Sequence, residues 1–390
     1  MILSISGCEQ REQQSCRMAN EYVVAKNESA PGALEVMRLD PDRIAVFWSA
    51  DGTSFFSLIN NDGIPQTKPL ELSPKAQAPT GETKTFWSKH KQYRLNAVSI
   101  SASRISDDQL AVSLLCLAGD NATAVFSVRV NVRTHSVERI ARVGTSGLYA
   151  RHISQMVHQG KLVVGWPDTT HTPQQVRIAV LNAQTLDEIS SSVIAQKEAV
   201  FGPTLQSNGN AAVVLWSKVA GKTVPLFATP YDKLETPDSE QLVDTLELFH
   251  ADAHAVPYRK GFAVVYRDNR DGDRTEEFYF TVIDATGKKR QAAERISRAD
   301  GPQGPKLSVG DEFLFSAAIR SYNNNYLVGF NRFSSSGTKT GGEFQVYADK
   351  CDFTRAGIAT SGDKVVLVYA ENAGSSGRIL ASTITCGKKK

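Results

Sequence analysis

The sequence has no apolar run approaching the roughly 18 residues that a membrane-crossing helix needs, so no such helix is expected within it. Its net charge is only +3, too little to point to a nucleic-acid partner or to electrostatic attraction to an anionic membrane surface. Helical periodicity never persists beyond a turn or two, which argues against α-helical and mixed folds. Signatures of several common chemistries are missing. There is no Gly-x-Ser-x-Gly nucleophile elbow, no Walker loop, no Gly-x-Gly-x-x-Gly after a strand and no His-Glu-x-x-His. No cofactor is implied.

What the chain does have is a repeat. Apolar runs of strand length end in an aromatic residue in "RIAVFWSADG" (Trp48), "KLVVGWPDTT" (Trp166), "AAVVLWSKVA" (Trp216), "GFAVVYRDNR" (Tyr266) and "KVVLVYAENA" (Tyr369). Trp166, Trp216 and Tyr266 fall fifty residues apart. The longer gaps on either side each leave room for one more unit, supplied by "DQLAVSLLCLAGDNATAVFSVRVNV" and "DEFLFSAAIRSYNNNYLVGFNRF". That makes seven units. After each aromatic comes a polar loop, then an alternating strand such as "FFSLINNDG" or "FYFTVIDATG", then a turn rich in Gly, Asn and Asp. Four strands in a unit of 40–50 residues is the length of a propeller blade. The expected fold is therefore all-β, a seven-bladed β-propeller of four-stranded blades.

The seventh unit runs out of chain after "ILASTITC" and lacks a fourth strand. "EYVVAKN", residues 21 to 27, is the candidate to supply it, because a ring left open would expose two unpaired strand edges. This arrangement brings Cys16 beside Cys386 and predicts a disulfide across the seam. Cys351–Cys386 is the rival pairing, but strand order puts those two at opposite ends of a blade. Cys116 ends the strand "AVSLLC" and reads as a buried free thiol. The expected organisation is a segment and tether over 1–20, one propeller domain over 21–387 and a basic tail over 388–390.

The start of the chain, "MILSISGC", carries a resemblance. Ile5-Ser6-Gly7-Cys8 is similar to a bacterial lipobox: a branched apolar residue, two small residues, then the cysteine that receives lipid. The polar stretch "EQREQQS" follows it as a tether would. The n-region of a signal peptide is basic and its apolar run longer, so the resemblance implies a true start upstream of Met1. It also implies a membrane anchor at Cys8 and a place in the bacterial cell envelope, which the cysteine usage fits. Glu9, where an aspartate would resemble the inner-membrane retention signal, favours the outer membrane.

Sialidases are also propellers, and "SADGTSFF", Ser49 to Phe56, looks similar to their Asp-box Ser-x-Asp-x-Gly-x-Thr-Trp. It is one residue short and lies between second and third strands rather than third and fourth, and no Arg-Ile-Pro motif occurs near the N-terminus. The likeness covers the fold and not the site. Sialidases hold a substrate carboxylate with three arginines, a task suited to bidentate guanidinium pairing. Arg94, Arg151 and Arg355 stand at the starts of first strands, near the central face, though such arginines are more often plain surface residues.

The densest charge lies in "RDNRDGD", residues 267 to 273. Placing Gly272 at position 6 of a calcium loop puts Arg267 at position 1 and Phe278 at position 12, which destroys the match. The expected role is a hairpin loop whose Asp and Asn side chains bond to backbone amides. Histidines and carboxylates on the same face add His152, Asp168, His171, Asp252 and His254. Imidazole with carboxylate suits zinc or copper, but the spacing forms no tight ligand signature, and no metal is expected. The expected function is a non-catalytic platform for an envelope protein or glycan, with Arg94, Arg151, His152, Asp168, His171, Asp252, His254 and Arg355 around the channel mouth. The competing expectation is a glycan-active hydrolase using carboxylates of that face.

Overall fold

A computed structural model describes residues 16–72, 93–118, 122–147, 150–171, 174–194, 200–234, 239–247, 253–270, 276–299, 306–311, 313–322, 325–334, 336–340, 344–347, 352–362, 364–373 and 376–386. These form 28 strands, with one short 3₁₀ turn at Tyr231–Lys233. After β1 (Cys16–Asn27), blade one comprises β2 (Ala33–Arg38), β3 (Arg43–Ala50), β4 (Thr53–Asn60) and β5 (Leu70–Glu71). Blade two is β6 (Tyr93–Arg104), β7 (Gln109–Ala118), β8 (Ala122–Asn131) and β9 (Ser136–Gly147). Blade three is β10 (Ser154–His158), β11 (Lys161–Asp168), β12 (Gln175–Asn182) and β13 (Glu188–Ile194). Blade four is β14 (Val200–Ser207), β15 (Ala212–Lys218), β16 (Val224–Pro230) and β17 (Gln241–Leu246). Blade five is β18 (Ala253–Tyr258), β19 (Gly261–Asp268), β20 (Glu276–Asp284) and β21 (Glu294–Ala299). Blade six is β22 (Lys306–Val309), β23 (Phe313–Tyr322), β24 (Asn325–Ser334) and β25 (Phe344–Tyr347). Blade seven takes β26 (Asp352–Ser361), β27 (Lys364–Ala373) and β28 (Ser376–Cys386) and is completed by β1.

Every sheet is an antiparallel meander in chain order, apart from the strand that β1 contributes. The first strands touch one another in an unbroken cycle, β2 to β6, β10, β14, β18, β22, β26 and back to β2. This is a closed seven-bladed propeller with β1 as the fourth strand of the last blade. Closure removes the free edges that an open sheet would expose.

Sequence pattern follows radial position. Second strands are sandwiched by neighbouring blades on both faces and read as continuous apolar runs: in β11, seven of eight residues, Leu162 to Asp168, are buried. Fourth strands meet solvent, and the first four residues of β13, Glu188 to Ser191, are exposed. The hydrophobic core is accordingly divided into seven clusters, one at each blade–blade interface. At one of them Met156, Val163 and Ile178 of blade three pack on Leu205, Val214 and Trp216 of blade four.

The aromatic residue that marks the repeat has a defined task in three blades: it ties its blade to the outer strand of the blade before. Trp48 Nε1 donates to Asn27 Oδ1 at 3.2 Å, Trp166 Nε1 donates to the Thr145 carbonyl at 3.2 Å, and the Tyr266 hydroxyl donates to Asp244. Trp216 instead bonds Thr229 of its own blade at 3.1 Å, and Tyr369 bonds Glu21 on β1. Gly144 makes the Trp166 contact possible, since a Cβ there would lie 2.5 Å from Trp166 Cζ2.

At the seam, β1 runs antiparallel to β28 from Cys16 opposite Cys386 to Asn27 opposite Gly377, with two register irregularities between. Arg355 Nε donates to the Gly32 carbonyl at 3.0 Å, Ser361 Oγ donates to the Pro41 carbonyl at 2.5 Å, and Lys364 pairs with Asp62. These contacts bind the last blade to the first. Cys116 is free and buried, and burial raises its thiol well above the ordinary value.

Candidate functional site

The cycle of first strands encloses a cavity of about 530 Å³ at the centre of the ring. All seven blades contribute to its wall, through residues such as Met37, Ala102, Met156, Gln206, Val256 and Ile358, with Gly357 also from blade seven. Three cationic side chains, Arg38, Arg104 and Lys306, face it together with one carboxylate, Glu35. Lys306 Nζ reaches from blade six to Glu35 Oε2 of blade one at 3.0 Å. His254 also lines the cavity, and its Nδ1 accepts the Leu307 backbone N–H at 3.1 Å. Burial, reinforced by the charge of Lys306 and by nearby His152, holds this imidazole well below its usual value, so it is neutral. With Nδ1 accepting, the proton of the neutral ring sits on Nε2.

The other residues expected around the channel mouth fall into separate groups. His152 is half-buried and donates through Nε2 to the Pro203 carbonyl of the adjoining segment at 3.0 Å. Arg151 is exposed ahead of β10. Arg355 makes the seam contact with Gly32. Asp168 and His171 do come together, at the end of β11. The Asp168 carboxylate is buried and accepts from the Thr170 amide at 3.0 Å, His171 Nδ1 at 3.1 Å and Arg177 Nε at 2.5 Å. Burial pushes that carboxyl up, and hydrogen bonds from Thr170 and Arg177 outweigh it, leaving it below the ordinary carboxylate value. Asp252 and the side chain of Arg94 lie outside the described residues. So do the side chains of Cys16 and Cys386, and residues 1–15 with Cys8. Of the six with described side chains, His254 lines the cavity.

The charged loop between β19 and β20 is a structural knot in its described part. Asp268 is fully buried and accepts from the backbone amides of Glu247 at 2.8 Å and Asn269 at 2.9 Å and from Arg270 Nε at 2.6 Å. Arg270 continues to Asp244 at 2.8 Å and lies 4.1 Å from the centre of the Tyr279 ring. Burial raises the Asp244 carboxyl, but the hydrogen bonds from Tyr266 and Arg270 bring it below its ordinary value. Asp271 and Asp273 lie outside the described residues. The Asp-box-like stretch also has a structural role. Asp51 and Gly52 both take positive φ, 53° and 80°, as a two-residue hairpin loop requires. The Asp51 carboxylate then receives Ser29 N at 2.7 Å and Ser29 Oγ at 2.9 Å.

Lys306 and Glu35 were not singled out from sequence. Each is a charged residue in a short first strand, "KLSV" and "ALEVMR". That position was the available signal, but their meeting depends on how blades six and one face each other across the ring.

Among the described residues no group of three or more His, Cys, Asp or Glu is placed to hold a metal ion. No family model matches the chain, and no curated protein matches it in sequence. Similarity to solved structures is confined to shape. A polysaccharide lyase, an ulvan lyase bound to GlcA(1-4)Rha3S, superposes with a TM-score of 0.58 at 8% identity, over 93% of this chain and 95% of that one. A prolyl endopeptidase gives 0.51 at 13% identity, over 92% of this chain and 47% of that one. The sialidase of Trypanosoma rangeli gives 0.47 at 9% identity, over 75% of this chain and 54% of that one. These identities speak to the propeller fold alone.

Proposed function

We propose that this chain is a non-catalytic propeller of the bacterial cell envelope, held to the outer membrane by lipid on Cys8. Its loop-bearing face serves as a binding or scaffolding platform for an envelope protein or glycan. The observation that carries the non-catalytic part is the wall of the central cavity. Glycoside hydrolysis needs two carboxyl groups about 5–9 Å apart across a pocket. Among the described residues Glu35 is the one carboxylate there, and Lys306 holds it. The buried carboxylates Asp168 and Asp268, near the loop face, are occupied by arginines and backbone amides of their surroundings. The Ile5-Ser6-Gly7-Cys8 resemblance supports the anchor. A rigid ring carrying many loops on one face suits recognition, since function concentrates in loops held by a scaffold.

The test has two arms. Produced in its native cells, the parent chain should fractionate with membranes and Cys8→Ala should become soluble; unchanged fractionation refutes the anchor. The soluble domain, screened against envelope glycans and proteins, should bind without turning over glycoside substrates. Release of sugar would replace this reading with the hydrolase.

A further inference from the structure

We propose that the central cavity is a binding site for a small organic anion with an aliphatic body, its carboxylate received by Lys306 and His254. This inference goes beyond the platform reading and does not depend on it.

The argument comes from the hydrogen-bonding capacity left in the wall. Gln206 is occupied at both ends, Nε2 donating to the Ala255 carbonyl at 2.8 Å and Oε1 accepting the Ser207 amide at 3.2 Å. The Ser308 hydroxyl meets Thr360 Oγ1 at 3.0 Å. Arg104 is engaged by the carbonyls of Leu39 and Ser106 and by Asp107. Lys306, however, uses one of its three N–H groups among the described residues, on Glu35. His254 uses Nδ1 as an acceptor, which leaves Nε2–H as a donor with no partner among the described residues. Lys306 directly precedes Leu307, whose amide bonds His254 Nδ1, and both side chains line the cavity, so the two groups stand at one end of it. The spare capacity at this end of the cavity is therefore donor capacity beside a positive charge. With Arg38 added, and Arg104 set aside because Asp107 offsets its charge, cations still outnumber carboxylates two to one in the wall. An anion is the complementary ligand.

The remaining wall defines the body of that anion. Met37, Met156, Val256, Pro257, Leu307 and Ile358 supply aliphatic surface. No Phe, Tyr or Trp lines the cavity among the described residues, so it offers no ring on which a sugar would stack. The volume, about 530 Å³, is within the usual range for a small-ligand site. Glu35 acts as the internal counter-ion of Lys306, and its own negative charge repels a ligand carboxylate brought to the same ammonium. This makes a prediction of unusual sign: removing the acid should strengthen binding.

Titration calorimetry on the full chain with octanoate as probe, and octanol and glucuronate as controls, tests the site. Octanoate should bind the parent chain, bind Glu35→Gln about tenfold more tightly and bind Lys306→Met at least about tenfold more weakly. Octanol and glucuronate should bind neither variant nor parent. Absence of octanoate binding to both the parent and Glu35→Gln overturns the proposal. So does equal binding of octanol, which would mark a merely greasy cavity, or tighter binding of glucuronate, which would mark a sugar-acid site. Glu35→Gln keeps side-chain shape, so the proposal stays testable if Lys306→Met fails to fold.

Discussion

At the residue scale, burial has turned several polar side chains to structural ends. His254 shows what this does to pH dependence. Unfolded, its imidazole takes up a proton near the ordinary histidine value of about 6.5; folded, burial and Lys306 keep it neutral well below that. In the window between these two values the unfolded state binds more protons, so stability is full above the ordinary value and falls as pH drops through it. Burial shifts His135 and His158 in the same direction. The expected outcome is a melting temperature that declines from about pH 7 to about pH 5.5, with a shallower decline in His254→Asn. An equal slope in parent and variant would show that His254 does not contribute. Asp168 and Asp268 illustrate the other half of the pattern. Their sequence surroundings look like metal or catalytic clusters, yet in the fold each carboxylate is saturated by neighbouring N–H groups.

At the scale of elements, the informative strand is β1. Its assignment to the last blade was legible because the seventh unit is one strand short, and a missing strand has to be found elsewhere in a closed ring. The register could only come from coordinates, and it sets Cys16 directly opposite Cys386. Opposed residues of an antiparallel pair have Cα atoms about 4.5–5.5 Å apart, inside the range of about 4.4–6.8 Å that a disulfide spans. Non-reducing peptide mapping of oxidised protein should therefore recover a Cys16–Cys386 linked pair, and finding both thiols free would refute it. Cys16→Ser should lower stability by up to roughly 4–5 kcal/mol, the chain-entropy limit for a very long loop. The aromatic markers follow the same logic. Their spacing was visible in sequence, but their hydrogen bonds to the preceding blade were not, because those partners lie about twenty residues back with no pattern of their own.

At the scale of the whole molecule, stability depends on closure. The core is divided among seven interfaces, each shared by two blades, so no blade buries its apolar faces alone. Deleting residues 16–27 leaves β28 as an open edge and removes the Val24 and Ala25 contribution to the seam cluster. The truncated chain should melt at lower temperature and self-associate in light scattering, since a bare strand edge recruits another chain. A monomeric truncation with unchanged melting would mean that the seam is held by Arg355, Ser361 and Lys364 rather than by the strand.

The sequence by itself determined the class, the number of blades and the identity of the closing strand. The first two are written in local periodicity, which short-range backbone and burial physics read directly, and the third follows from a strand count in a ring that has to close. The candidate site was less legible. From the channel-mouth set, His254 emerged as a cavity residue, whereas Glu35 and Lys306 went unnoticed within ordinary strand patterns. Only the tertiary structure decided which charged side chains face one another across the ring. Those pairs join residues far apart in the chain, and their meeting depends on blade angle and ring radius, which no local pattern encodes.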